Sequence, residues 1–367
     1  MNQIYRAPTP IIFGWGSFES LSEHIPEGDC FMVLGGSSST LLEIEGRVGP
    51  VVKGELTVFR GIEPNPLDTT VDRGASEMRE ADPEFVLAVG GGSVMDAAKV
   101  MAQVARHGGS SADYVTGRMA PGEGAYPLYA VPTTPGTSSE ITPFSVITVP
   151  KENNKLAVRH PSLYPTLALI DPKLTVTLPG EQTVATGLDI LSHAVESYWA
   201  RRATPMTRRF SLDAVRLVRG HLKKAVENGN LRQHREALSL ASVMAGLAFS
   251  NTGTTICHAI SYPITMDTGL PHGMACALTL GPTFDLLLER GHQDLDQLAG
   301  SFSSTSRSFS KDLMDMMREL GVPEDLRGAG YTSGVDRILR TEMGGLLSNF
   351  PLDLKREDIR GILEKIG

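Results

Sequence analysis

Phe85-Val86-Leu87-Ala88-Val89-Gly90-Gly91-Gly92-Ser93-Val94-Met95-Asp96 decides how the first half of the chain is read. An apolar run enters three glycines, and a helical pattern follows over residues 93–107. A strand without polar alternation is buried on both faces, as in a parallel sheet covered by helices. Similar runs flank it: Phe31-Met32-Val33-Leu34 before Gly35-Gly36-Ser37-Ser38, Leu56-Thr57-Val58-Phe59 before a Pro/Asn turn at 64–66, and Leu128-Tyr129-Ala130-Val131. Helical stretches separate them. After Leu178-Pro179-Gly180 the pattern becomes helical to the end, with breaks at 203–205, 251–253 and 320–323. The expected architecture is an α/β Rossmann-like nucleotide-binding domain over 1–178 and an all-α domain over 179–367.

Gly90-Gly91-Gly92-Ser93 lets backbone approach a phosphate closely, and the helix start behind it presents free N–H groups. It is not the G-x-G-x-x-G fingerprint, and standing alone it reads as a plain turn. A second loop, Pro132-Thr133-Thr134-Pro135-Gly136-Thr137, also follows a strand and supplies hydroxyl groups. Two such loops at strand C-terminal ends point to one nucleotide-binding crevice.

The helical half carries a second signal. Asp189 and His193 are four residues apart in Gly187-Leu188-Asp189-Ile190-Leu191-Ser192-His193-Ala194-Val195-Glu196, so both lie on one helical face. His258 and His272 follow. An Asp/His pair is more often a hydrogen bond than a site. Here, however, Asp189 sits among apolar residues, where an unpaired carboxylate is costly and a cation relieves the cost. One carboxylate and three imidazoles suit Fe(II), Zn or Co.

Composition narrows the class. The chain has 367 residues, 41% hydrophobic and 21% charged, with net charge −8, which argues against a general nucleic-acid surface. No apolar run is long enough for a membrane span, and the start lacks signal-peptide layout. Three cysteines, Cys30, Cys257 and Cys276, suit a reducing cytoplasm. Cys257 reads as a small buried apolar residue.

Taken in order, these motifs resemble the iron-containing (group III) alcohol dehydrogenases, within the dehydroquinate synthase-like fold. The resemblance covers Gly90-Gly91-Gly92-Ser93 with Asp96 and Lys99, Pro132-Thr133-Thr134 with Gly136-Thr137 and Glu140, Asp171-Pro172, Gly187-Leu188-Asp189 with His193, and His258 with Pro271-His272-Gly273. It implies that Asp189, His193, His258 and His272 ligate a divalent metal, usually Fe(II), with Zn the alternative. It implies that Gly91, Gly92 and Ser93, with Asp96, bind the cofactor pyrophosphate region. Thr133, Thr134, Thr137 and Leu174 would line the cofactor cleft, with Lys155 near the nicotinamide. Homodimers are common among such proteins.

Two departures stand out. Many members carry a histidine where this chain has Tyr262, so Tyr262, a water or a ribose hydroxyl would serve in any proton relay. Many NAD-preferring members carry an aspartate after the first strand; Gly36 and Ser37 stand there instead, leaving room and hydroxyls for a 2′-phosphate. That favours NADP(H) over NAD(H).

The parts assemble into carbonyl reduction or its reverse, by hydride transfer beside a Lewis acid, on a small aldehyde or alcohol in a cleft between the domains. Phe144 and Phe249 would wall the pocket. The stretch His258-Ala259-Ile260-Ser261-Tyr262-Pro263 resembles a subgroup that reduces phosphonoacetaldehyde to 2-hydroxyethylphosphonate, for which Arg159, Lys155 and His160 are candidate cations. Gly253, where that subgroup often has a basic residue, counts against it. A dehydroquinate synthase-like cyclase would need several basic residues and normally lacks the Asp/three-His set. A non-enzymatic protein retaining the fold should have lost a ligand or a glycine loop, and both are present.

Overall fold

The computed structural model describes residues 4–36, 42–341 and 343–367. Ser37, expected as a cofactor contact, lies outside the described residues. Arg6–Leu178 form one compact unit. Among its described residues six strands make a parallel sheet: β1 (Ile11–Phe13), β2 (Cys30–Gly35), β3 (Leu56–Ile62), β4 (Phe85–Gly90), β5 (Leu128–Pro132) and β8 (Leu167–Ile170). Their order is β1-β8-β5-β4-β2-β3. An antiparallel hairpin, β6 (Phe144–Val149) and β7 (Asn154–Arg159), stands apart. Helices α1 (Ile44–Val48), α2 (Asp68–Ala81), α3 (Gly92–His107) and α4 (Ser111–Val115) connect the strands.

Both faces of the sheet are covered, which explains the unbroken apolar runs. Phe31, Val33, Val86, Ala88 and Ala130 enter one core with residues of α2 and α3. Met32, Leu34, Leu87, Val89 and Val131 enter the other, with Phe18 and Ile44. Each fully buried side chain of this size contributes about 1.5–3 kcal/mol relative to exposure. β2 and β4 are neighbours, while the chain moves outward from them in opposite directions through β3 and β5. The glycines ending both strands therefore flank the topological switch point, where sheets of this kind bind ligands.

The second unit is Pro179–Gly367, to which Tyr5 also belongs. Tyr5 donates its hydroxyl to the Leu247 carbonyl at 3.1 Å and packs on Phe210. Its long helices are α5 (Gly180–Trp199), α6 (Pro205–Glu227), α7 (Arg232–Thr252), α8 (Ile256–Thr268) and α9 (His272–Glu289). α5 is buried over most of its length, as a central helix is, and carries Asp189, His193 and Glu196 among its buried apolar residues. Thr204 caps α6 with Pro205 at its first position. Beyond Glu289 the helices are shorter than the sequence pattern suggests. Glycines in the left-handed region, Gly321, Gly330 and Gly334, interrupt that segment.

Candidate metal and cofactor sites

Helix α5 is buried because its neighbours cover it, and that burial places Asp189 where water does not reach. Asp189 is 4% exposed. Its Oδ1 lies 3.8 Å from His193 Nδ1, 4.0 Å from His258 Nε2 and 3.9 Å from His272 Nε2. These separations are too long for hydrogen bonds, and neither Asp189 Oδ1 nor His258 Nε2 has a hydrogen-bond partner. Donors held 2.0–2.2 Å from a tetrahedral ion sit about 3.4 Å apart, close to what is seen here. Burial pushes the Asp189 carboxyl up, opposed by His272 and His258. A buried carboxylate ringed by imidazole nitrogens fits a borderline divalent cation.

The ring orientations are fixed from behind. Glu196, one turn beyond His193 on α5, is fully buried and accepts from His258 Nδ1. It also accepts from Thr255 N at 3.1 Å, Thr255 Oγ1 at 2.5 Å and Cys257 N at 2.8 Å. Burial opposes its charge, yet His258 and these hydrogen bonds hold it below the ordinary carboxylate range. With its Nδ1 proton given to Glu196, His258 turns the lone pair of Nε2 toward Asp189. Ser261 does the same for His272. Its hydroxyl donates to the His258 carbonyl at 2.7 Å, so its oxygen is left to accept from His272 Nδ1 at 3.3 Å.

Two close approaches bring the ligands together. A Cβ on Gly273 would lie 2.0 Å from the Ala185 carbonyl oxygen and 2.6 Å from Asp189 N, so only glycine lets α9 start against α5. His193 stacks on Phe249, ring centroids 4.1 Å apart, so Phe249 lies beside the ligand set. Tyr262 stacks on His272 at 5.8 Å, and burial pushes its hydroxyl up to about 12. It keeps its proton at neutral pH. Gly253 ends α7 with φ 76°, which favours glycine over the basic residue considered above.

Among the described residues, donor atoms of Asp189, His258, His272 and Cys276 all lie within 4.8 Å of one another. His193 touches this set through Asp189, and Cys276 is an addition that the sequence reading passed over. Glu196 was missed as well, although it follows Asp189 by seven residues on the same helical face. Seven is two turns, and that spacing was the available signal.

In the sheet unit, α3 begins at Gly92 behind Gly91, with no side chain capping its first N–H groups, the arrangement of anion-binding helix starts. A Cβ on Gly91 would meet Thr134 Oγ1 at 3.0 Å, and one on Gly92 would meet Thr137 at 2.5 Å, so the two loops abut. Thr133 is buried, with its N–H donated to the Gly90 carbonyl at 2.9 Å. Asn65, in the turn after β3, joins these elements. Its N–H donates to Ser93 Oγ at 3.2 Å, and its Oδ1 accepts from Lys155 Nζ at 2.8 Å. Lys155 thus stands beside the Ser93 loop through a residue that the sequence alone marks only as part of a turn.

Other residues named from the sequence have their own surroundings. Both Asp96 oxygens face the protein, accepting from Ser139 Oγ at 2.5 Å and Val146 N at 2.9 Å, so Asp96 ties α3 to the second loop and β6. Leu174 is 1% exposed and belongs to the core under the sheet. His160 caps its own turn by accepting from Ser162 N, and Arg159 lies over the Phe144 ring at 5.4 Å. Gly36 is exposed, and a Cβ there would meet nothing within 4 Å. No helix among the described residues is long and apolar enough to cross a membrane.

Comparison with known proteins agrees with this arrangement. A family model described as iron-containing alcohol dehydrogenase matches residues 8–172, and the C-terminal model of the Fe-containing alcohol dehydrogenase family matches 183–367. Long-chain-alcohol dehydrogenase 1 of Geobacillus thermodenitrificans is 31% identical over 96% of this chain and 93% of its own. NADPH-dependent butanol dehydrogenase of Clostridium saccharobutylicum is 29% identical over 98% and 97%. The crystal structure of sulfoacetaldehyde reductase from Bifidobacterium kashiwanohense, in complex with NAD+, superposes with a TM-score of 0.92 at 31% identity, covering 100% of this chain and 99% of that one.

Proposed function

The chain belongs to the iron-containing alcohol dehydrogenase family, an oxidoreductase family, and on that premise we propose that it reduces a small aldehyde with NAD(P)H, or runs the reverse. The observation that carries this reading is Asp189 Oδ1, buried without a hydrogen bond and faced by three imidazole nitrogens at 3.8–4.0 Å. Asp189, His193, His258 and His272 would hold the divalent ion, Fe(II) in the first instance and Zn as the alternative. When bound, that ion supplies Lewis-acid polarisation of a carbonyl oxygen, and a nicotinamide supplies the hydride. Glu196 and Ser261 keep the His258 and His272 rings in register. Tyr262, protonated, is the hydroxyl offered to the substrate oxygen.

In the sheet unit, the residues proposed to carry the cofactor are Gly91, Gly92 and Ser93 at the pyrophosphate, Thr134 and Thr137 along the loop, and Lys155 held by Asn65. Asp96 positions this loop from within. Gly36 leaves the end of β2 without an acid, which supports NADP(H). The domain roles follow: nucleotide binding by the sheet unit and metal binding by the helical one. Three buried, unbridged cysteines are in keeping with a reducing cytoplasm.

An anionic aldehyde is the substrate class favoured. A structural relative acts on sulfoacetaldehyde, and phosphonoacetaldehyde shares its layout of aldehyde and anionic tail. The test is NADPH and NADH oxidation by Fe(II)-reconstituted protein against phosphonoacetaldehyde, sulfoacetaldehyde and neutral aldehydes of the same length. Preference for an anionic aldehyde with NADPH supports the whole reading. Equal turnover of neutral aldehydes removes the anion preference, and no turnover of any aldehyde removes the reductase.

A further inference from the structure

Cys276 lies one helical turn after His272 on α9, so both side chains share a face. Its Sγ is 3.7 Å from His272 Nε2 and 3.9 Å from Nδ1, against the edge of the ring. It is fully buried. The other cysteine of this region, Cys257, is part of the apolar core of the helical unit, with Ile256, Ala259 and Ile260. Cys276, also buried among apolar neighbours, has donor atoms of Asp189, His258 and His272 within 4.8 Å of its sulfur. Two of those groups point to a ligand independently. Asp189 Oδ1 and His258 Nε2 are buried, carry no hydrogen bond, and belong with Cys276 Sγ to the set of donors within 4.8 Å of one another.

We propose that Cys276 is a thiolate ligand to the divalent ion, joining Asp189, His193, His258 and His272. The proposal rests on the metal site argued above and extends it to a donor type that the Asp/three-His reading does not contain. As the sulfur–metal bond forms, the thiol S–H bond breaks and its proton leaves to solvent. No electron is transferred, and the ion keeps its oxidation state. A soft sulfur donor moves the site toward Zn or Co relative to the oxygen and nitrogen donors alone.

The test is the absorption spectrum of the full chain stripped of metal and reloaded anaerobically with Co(II). Wild type and Cys257→Ser are expected to show a strong near-ultraviolet thiolate-to-cobalt charge-transfer band. Cys276→Ser and Cys276→Ala should lose that band while retaining bound Co(II), with circular dichroism checking that both variants fold. Stoichiometric Co(II) in wild type without the band would overturn the thiolate ligand and leave the metal site standing. A band that survives in a folded Cys276→Ser protein would overturn it too, by assigning the sulfur elsewhere. Failure of wild type to bind Co(II), Zn or Fe(II) would overturn the metal site itself.

Discussion

Glu196 shows how much of this candidate site depends on a residue that never needs to touch the ion. Its carboxylate gathers hydrogen bonds from His258, Thr255 and Cys257, and so sets the tautomer and aim of His258. Glu196→Gln keeps the shape but offers one carbonyl oxygen where two acceptors stood. Metal affinity measured by equilibrium dialysis is expected to fall about 10–100-fold, with the helical content unchanged. Unaltered affinity would remove Glu196 from its orienting role. The same logic separates Asp96 from its expected place. A carboxylate with both oxygens engaged by Ser139 and Val146 braces a loop rather than meeting a phosphate, whose charge it would repel.

At the scale of elements, the proposed ligands meet because α9 begins in contact with α5. Gly273→Ala would push its Cβ into the Ala185 carbonyl, 2.0 Å away, so the helices must part and carry His272 from Asp189. Overpacking of this kind costs about 1–3 kcal/mol. A lower melting temperature together with lost metal retention is expected; a variant that keeps both would show that the contact can give. The α3 brace makes a pH-dependent prediction. Lys99 donates to Ser139, Thr142 and Phe144 from a buried position, with Glu140 buried nearby. Burial raises Glu140 from 4.5 to about 7. The folded state therefore favours its protonated form, a stabilisation fully present below the unfolded value and lost as pH rises through about 7. Glu140→Gln lacks that loss, so its stability relative to wild type should climb between the two values in denaturant titrations. A difference that stays flat with pH would contradict it.

Elements were also where legibility divided. The four strands read from the sequence were each found where the pattern put them; β2, β4 and β5 are largely buried runs, while β3, at the sheet edge, buries Phe59 and Ile62. β1 and β8, of three and four residues, carry too little periodicity to be read. Among the ligand-type residues, Asp189 and His193 announced themselves by an i, i+4 spacing. Cys276 follows His272 by the same spacing and went unread as a donor, because a cysteine in an apolar helix looks like core. Asn65 was legible only as a turn residue, since its bonds to Ser93 and Lys155 join segments 28 and 90 residues away.

Over the whole molecule the proposed functions are divided between two units. The glycine and threonine loops lie in Arg6–Leu178, and the Asp/His/Cys donors in Pro179–Gly367. Metal and nicotinamide binding should therefore be separable by substitution. The measurement that bears most directly on the central claim is metal content and NADPH-fluorescence binding of wild type and Asp189→Asn, each reconstituted with Fe(II) under the same anaerobic conditions. Wild type is expected to retain stoichiometric iron, while folded Asp189→Asn retains none, reduces no aldehyde and still binds NADPH. Iron retained equally by both proteins would contradict the assignment of Asp189 as the carboxylate that holds the metal.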